Sequence, residues 1–195
     1  MIREPDIPPD HELVARIKHG DEQALRDLYS RYVPRVYSFI ARLCPPDIDP
    51  QDIVQEAFVR AWQKLKGFDP NKSFRTWIFS IAKYYLIDTL RRKRPLQFSE
   101  INTGDEMPIE ERIEDTRELP HLDLDRQYDA AILEEVLSQL TPPQREAIIL
   151  HVTEDFTFQE IADLQKEPMD TVKTRYRRAI TKLRNLLISR KKDIT

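Results

Sequence analysis

Apolar residues in this chain recur with a helical period wherever they recur at all. Ala24, Leu25, Leu28, Tyr29 and Tyr32 fall three and four apart, and Asp21, following Gly20, is suited to cap the helix they define. Val36, Tyr37, Ile40 and Leu43 extend that stripe to Cys44, where Pro45 and Pro46 stop it. Asp49, Pro50 and Asp52 then spell a helix start: a capping side chain, a proline in the first turn and an early acid. Val54, Ala57, Phe58, Ala61 and Leu65 form the inward face of this second helix, and Gly67 closes it. After a loop at 68–72, a long helix is predicted from about Ser73 to Lys93, with Phe74, Trp77, Ile78, Ile81 and Tyr85 inward and Pro95 ending it.

Between Leu96 and about Arg126 the period is lost. Prolines, one glycine and ten acids give no sustained apolar face, which predicts a flexible linker over 96–128. Fully extended, it would reach roughly 100 Å at about 3.3 Å per residue. Helical spacing returns with Ile132, Leu133, Val136, Leu137 and Leu140, and Thr141-Pro142-Pro143 starts a helix through Leu150. Thr157 with Glu160 reads as a capping box for a short helix holding Ile161 and Leu164. After Pro168, Asp170 is placed to cap a long helix with Val172, Tyr176, Ala179, Leu183 and Leu187 inward. The pattern predicts an all-α protein of two helical domains, joined by an acidic tether.

Charge changes the picture more than composition does. The net charge is −3 over 195 residues. Residues 1–95 carry a net +4 and residues 96–128 a net −7, while 129–195 balance. Thr171 to Lys192 nonetheless contains nine basic residues and no acid. Two basic surfaces flank an acidic connector, and both are candidates for nucleic acid. The single cysteine, Cys44, excludes an internal disulfide and a cysteine zinc site, and three glycines leave no phosphate-cradling loop. No run of 18 apolar residues offers a membrane span. Met1–Asp10, acidic and proline-rich, does not read as a secretory signal.

Three constellations carry candidate function. The first is the short capped helix, turn and long basic helix, which is the arithmetic of a helix-turn-helix over about 157–178. With Val172, Tyr176, Ala179 and Leu183 inward, Thr174, Arg177, Arg178 and Thr181 point outward, flanked by Thr171, Lys173 and Arg175. Near a helix start these side chains suit base edges and phosphates, although a solvated basic face on a bundle helix has the same composition. Lys182 and Arg184, further along, suit phosphates alone.

The second is the helix at 73–93 with its preceding loop. Phe74, Trp77, Phe79, Tyr84 and Tyr85 alternate with Lys72, Arg75 and Lys83, and Arg91, Arg92, Lys93 and Arg94 follow. Rings that stack bases and cations that follow phosphates suit a single strand. Phe74 and Trp77 equally suit a core, whereas Tyr84 lies off the inward stripe. The third is the outward face of helix 50–66, with Asp52, Gln55, Glu56, Arg60 and Gln63. The pair Asp52 and Glu56 would suit acid–base work, but no metal set or nucleophile accompanies it. His11, His19, His121 and His151 are scattered. No catalytic residue, metal or cofactor is predicted.

At these residues the chain resembles the extracytoplasmic-function (ECF) sigma factors, promoter-recognition subunits of bacterial RNA polymerase. Asp52-Ile53-Val54-Gln55-Glu56-Ala57-Phe58 with Ala61-Trp62 resembles the family's polymerase-binding helix. Phe68, Phe74-Arg75-Thr76-Trp77-Ile78, Ile81-Ala82, Asp88 and Arg91-Arg92 resemble the segment for the −10 promoter element. Leu140-Thr141-Pro142 to Arg145, Glu160-Ile161-Ala162 and Thr171-Val172-Lys173-Thr174-Arg175 resemble the −35 domain. The departures are Tyr84 where the family often has Asn, and Lys166 and Asp170 where glycines are usual.

The resemblance implies a polymerase-binding and −10 domain at 1–95, with core binding at about 50–66 and −10 recognition at about 68–94. It places the linker at 96–128, near the polymerase active-site and RNA-exit channels, and a −35 domain at 129–195. It implies core contacts by Asp52, Gln55 and Glu56, and −10 strand contacts by Lys72, Phe74, Arg75, Trp77, Lys83, Tyr84, Arg91 and Arg92. Contacts to −35 duplex would come from Thr171, Lys173, Thr174, Arg175, Arg177 and Arg178. The implied partners are RNA polymerase core, promoter DNA and an anti-sigma factor, in the cytoplasm, with no membrane insertion and no enzyme activity. Two other readings remain at this point. A stand-alone helix-turn-helix regulator would bind duplex tightly alone, and a magnesium-dependent nuclease using Asp52 and Glu56 would cleave nucleic acid.

Overall fold

Asp21 starts a 22-residue helix as its position predicts, its carboxylate accepting from the amides of Gln23 at 2.9 Å and Ala24 at 3.1 Å. The Ala24 amide, then Arg16, hold the Asp21 carboxyl below its ordinary pKa. Gly20 just before it has φ +90°, and the Asp21 and Gly20 amides donate to the carbonyls of Arg16 and Ile17. That is a Schellman cap, with glycine at its left-handed position, ending a preceding helix.

The structure, a computed structural model, describes residues 8–93 and 135–193. In chain order the helices are α1 (Asp10–Lys18), α2 (Glu22–Leu43), α3 (Pro50–Lys64), α4 (Phe74–Lys93), α5 (Pro142–Ile148), α6 (Phe158–Gln165) and α7 (Met169–Asp193), and residues 135–138 before α5 are also helical. A 3₁₀ turn at Leu65–Gly67 follows α3, and a π turn at Ile149–Thr153 follows α5. No strand occurs among the described residues, and no described helix is long and apolar enough to cross a membrane. The expected linker at 96–128, with Ile132 and Leu133, lies outside the described residues. The described residues form two compact units, the first carrying those up to Thr89 and the second most of the others.

The first unit is a helical cluster whose core runs through all four of its helices. Leu13 and Val14 of α1, Leu28, Val36, Phe39 and Ile40 of α2, Ala57 and Ala61 of α3, and Ile78, Phe79 and Ala82 of α4 are fully buried. Each fully buried leucine or phenylalanine contributes roughly 1.5–3 kcal/mol relative to exposure. Helix α1 was not anticipated from the sequence. Its anchor is Asp10, whose carboxylate accepts from Arg31 and from the Tyr32 hydroxyl on α2. Burial, then that hydrogen bond, push the Tyr32 phenol well above its ordinary pKa.

Three details of the first unit differ from the sequence pattern. Tyr29 and Tyr37, expected inward, are 45% and 46% exposed. Gly67 ends the 3₁₀ turn without a left-handed conformation, since the positive-φ glycine of the described chain is Gly20. The core line of α4 is Phe74, Ile78, Phe79, Ala82 and Leu86, while Trp77, Ile81 and Tyr85 are only half-buried. Apolar residues occur on every side of α4, so spacing alone does not fix which side faces in.

In the second unit, Val136, Leu137, Leu140 and Ile148 pack with Tyr176, Ala179, Ile180, Leu183 and Leu187 of α7. The Thr157–Glu160 box forms as predicted: the Glu160 carboxylate accepts from the Thr157 amide at 2.9 Å, and Thr157 Oγ1 accepts from the Glu160 amide at 3.2 Å. His151 stacks on Phe158 at 4.2 Å and meets the Tyr176 ring edge-on at 4.8 Å, with Nδ1 2.7 Å from the Phe156 carbonyl oxygen. Asp170 is not the cap. Helix α7 begins at Met169, the Val172 amide bonds back to the Pro168 carbonyl, and Asp170 supplies an acid in the first turn.

Candidate functional site

Helix α3 starts at Asp49, whose carboxylate accepts from the Gln51 amide at 2.8 Å, with Pro50 in the first turn. Burial of Ile53, Val54, Ala57, Phe58 and Ala61 turns Asp52, Gln55 and Gln63 out to solvent. Glu56 is less free than its spacing suggests. Its carboxylate accepts from Arg60 Nε at 2.8 Å, and the Arg60 guanidinium lies 4.3 Å from the centroid of the Tyr85 ring on α4. The Glu56 hydrogen bond is the main cause that raises the Arg60 pKa. At the middle of this face stands Val59, 42% exposed. Sequence reasoning passed over it, although Asp52, Gln55, Glu56, Val59 and Gln63 share one helical stripe by spacing.

The rings around the start of α4 form a connected set. Phe68 is 4.6 Å from Trp77 and 5.8 Å from Phe74, and Phe74 is 5.3 Å from Tyr32 and 5.6 Å from Trp77. Phe74, only 2% exposed, therefore belongs to the core and backs Trp77 rather than meeting a ligand. Trp77 is half-buried and Tyr84 is 41% exposed. Trp77, Tyr84 and Arg91 are seven residues apart, so they share one face at about 10.5 Å per step. Lys72, Arg91 and Arg92 are exposed, and Arg75 and Lys83 half-buried. The basic end of α4 also complements the helix dipole.

The turn between α6 and α7 explains how a lysine replaces the usual glycine. Lys166 has φ +57°, and the Glu167 amide donates across it to the Ala162 carbonyl at 3.1 Å. This is again a Schellman cap, here built with a residue that has a Cβ. Next to it, Arg175 Nη2 lies 2.6 Å from Glu167 Oε2, and the Arg175 side chain is 7% exposed. Arg175 was expected on the nucleic-acid face; the structure turns it inward onto the turn. Thr171, Lys173, Thr174, Arg177 and Arg178 are half-buried, and the Thr181 hydroxyl donates to the Arg177 carbonyl. Lys182, expected at phosphates, reaches the Gln139 carbonyl at 2.6 Å. No group of three or more His, Cys, Asp or Glu side chains among the described residues is placed to hold a metal ion.

Comparison with known proteins bears on most of the chain. Residues 28–95 match the Sigma-70 region 2 family, and residues 130–183 match Sigma-70, region 4. The ECF RNA polymerase sigma factor SigW of Bacillus subtilis (strain 168) is 28% identical over 176 residues, covering 89% of this chain and 94% of SigW. The ECF RNA polymerase sigma-E factor of Escherichia coli (strain K12) is 30% identical over 174 residues, covering 87% of this chain and 90% of that protein. The sigma factor RpoE from Bartonella quintana, solved in complex with the anti-sigma factor NepR, shares the fold with a TM-score of 0.65 at 22% identity. That match covers 84% of this chain and 96% of RpoE. With both sigma-70 regions matched and a 30% identical relative covered over most of its length, the protein belongs to the ECF group of the sigma-70 family, the subunits that give bacterial RNA polymerase its promoter specificity.

Proposed function

We propose that the two units divide promoter recognition between them: residues 1–95 bind polymerase core and the −10 strand, and residues 129–195 read the −35 duplex. On α3, Asp52, Gln55 and Glu56 offer carboxylate and amide acceptors suited to arginine forks on a partner helix, with Val59 as their apolar centre. On α4, Trp77, Tyr84 and Arg91 take the non-template strand, helped by Lys72, Arg75, Lys83 and Arg92. Phe74 holds Trp77 from behind. A face that accommodates an unstacked base favours the melted promoter, because unstacking costs a few kcal/mol per base. On α7, Thr174, Arg177 and Arg178 read base edges while Thr171 and Lys173 hold phosphates. Arg175 fixes the turn.

The observation that carries this reading is the arrangement of α4, where half-buried Trp77 and exposed Tyr84 and Arg91 share a face opposite the buried Ile78–Ala82–Leu86 line. The chain does no bond chemistry; it works on the core enzyme, in the cytoplasm where promoters are. An anti-sigma factor, the kind of partner held by the Bartonella quintana relative, is the proposed regulator. The test is reconstitution with core polymerase. Asp52→Arg and Glu56→Arg should each weaken core binding more than tenfold while the chain stays folded. Affinity within twofold of wild type for both would remove this face from the interface.

A further inference from the structure

Helix α1 has no part in the assignments above, yet it is bound to the rest of the first unit along its whole length. Its first residue, Asp10, is held by Arg31 and Tyr32 of α2. Leu13 and Val14 are fully buried. At its end Arg16 pairs with Asp21 at 2.8 Å. The last residue of this fixed helix, Lys18, extends its ammonium to the main-chain carbonyl of Phe68, donating at 2.7 Å.

Phe68 is the joint between the 3₁₀ turn after α3 and the loop that enters α4. Its ring is buried against Trp77 and Phe74, so the core fixes the side chain and Lys18 fixes the carbonyl. From there the loop is already folded. Asp69 Oδ1 accepts from the Asn71 amide at 3.0 Å and from Asn71 Nδ2 at 3.1 Å, and the Lys72 amide donates to the Asp69 carbonyl at 3.0 Å. At the far end, Ser73 Oγ accepts from the Thr76 amide at 3.2 Å. Residues 69–73 are exposed. A short turn with both ends pinned loses little conformational freedom when a ligand orders it.

We infer that Lys18 is a positioning residue for promoter opening: its bond from α1 to the Phe68 carbonyl sets the pose of the loop at 69–73 against the −10 strand. This rests on the proposed role of α4 and its loop.

The experiment uses the full chain with core polymerase, comparing Lys18→Met, Lys18→Arg and, as a probe of the strand site itself, Tyr84→Ala. Hydrogen exchange at the Asn71 and Lys72 amides reports the hold on the loop without DNA. The rate of open-complex formation on duplex promoter reports its consequence. Lys18→Met should speed exchange at these two amides at least tenfold and slow opening five- to tenfold. Core affinity and melting temperature should stay at wild-type values, and Lys18→Arg should restore both readouts. Unchanged exchange at Asn71 and Lys72 overturns the inference. So does faster exchange with opening within twofold of wild type. If Tyr84→Ala also leaves opening unchanged, the strand-binding role of α4 falls with it; if Tyr84→Ala slows opening and Lys18→Met does not, only the inference about Lys18 falls.

Discussion

Helices α4 and α7 are both rich in arginine and lysine, but α4 carries five rings and α7 one, and the two helices use them in opposite senses. In α4 the rings at Trp77, Tyr84 and Tyr85 remain half-exposed or exposed, and its three terminal cations end the helix. In α7 the ring Tyr176 is 2% exposed, the cations run along the whole helix, and one of them, Arg175, is turned in to bind Glu167. Aromatic and basic composition therefore does not decide what a helix binds. What decides it is which side chains the core takes. The core of α4 takes Phe74 and Phe79 and, on the proposed function, leaves Trp77, Tyr84 and Tyr85 for bases, whereas the core of α7 takes its one ring, Tyr176, and leaves a polar surface for groove edges and phosphates.

The largest way to break this contrast is to remove one ring from each helix. Tyr176→Ala should cost about 3–5 kcal/mol in urea unfolding of the C-terminal unit, as large-to-small core changes do. Tyr84→Ala should stay within about 0.5 kcal/mol of wild type, as exposed substitutions do. Equal losses would mean that the two rings are placed alike.

The inward arginine gives the next effect. Glu167→Gln leaves a charge on Arg175 with its partner neutralised, and should cost about 1–3 kcal/mol, less than a fully buried pair because Glu167 is 35% exposed. Binding to all −35 sequences should weaken alike in gel-shift assays of the holoenzyme. A change of base preference would instead place Arg175 at the bases. Lys166→Gly acts in the other direction on the same turn. Relief of a left-handed lysine should add about 0.5–1 kcal/mol, read as a rise in melting temperature.

The smallest effect separates the two units by pH. Because the folded Asp21 carboxyl lies below its ordinary value of 3.8, its stabilisation is complete above that pH and is lost as pH falls through the folded value. Asp21→Asn should therefore flatten the acid side of the melting curve for the N-terminal unit and leave the C-terminal unit unchanged. An unaltered acid limb would show that the cap does not control it.

Much of this architecture was legible because its signals are local. Asp21, Asp49 and the Thr157–Glu160 box each need only neighbours within one turn, and Val172, Tyr176, Ala179, Leu183 and Leu187 lie on a single clean stripe; all of them took their predicted places. Helix α1 was missed because nine residues with two buried apolar side chains give little period, and its anchor lies at Arg31 and Tyr32, some twenty positions away. The facing of α4 was misjudged because apolar residues surround it. Arg175 was placed outward because its partner, Glu167, is brought beside it only by the left-handed turn at Lys166. Family motifs pointed to the segments in which the proposed site lies, but not to which members of each segment the core would claim.

The central claim is the division of labour between α4 and α7, and one paired measurement tests it most directly. Holoenzymes carrying Tyr84→Ala or Arg177→Ala would be titrated against two DNAs, a fork with single-stranded −10 non-template strand and no −35 element, and a duplex carrying only the −35 element. Stacking on an exposed ring is worth roughly 1–3 kcal/mol per base and a bidentate arginine a similar amount. Tyr84→Ala should thus weaken the fork at least fivefold and leave the −35 duplex within twofold, and Arg177→Ala should do the reverse. Equal losses on both DNAs for either variant would contradict the division.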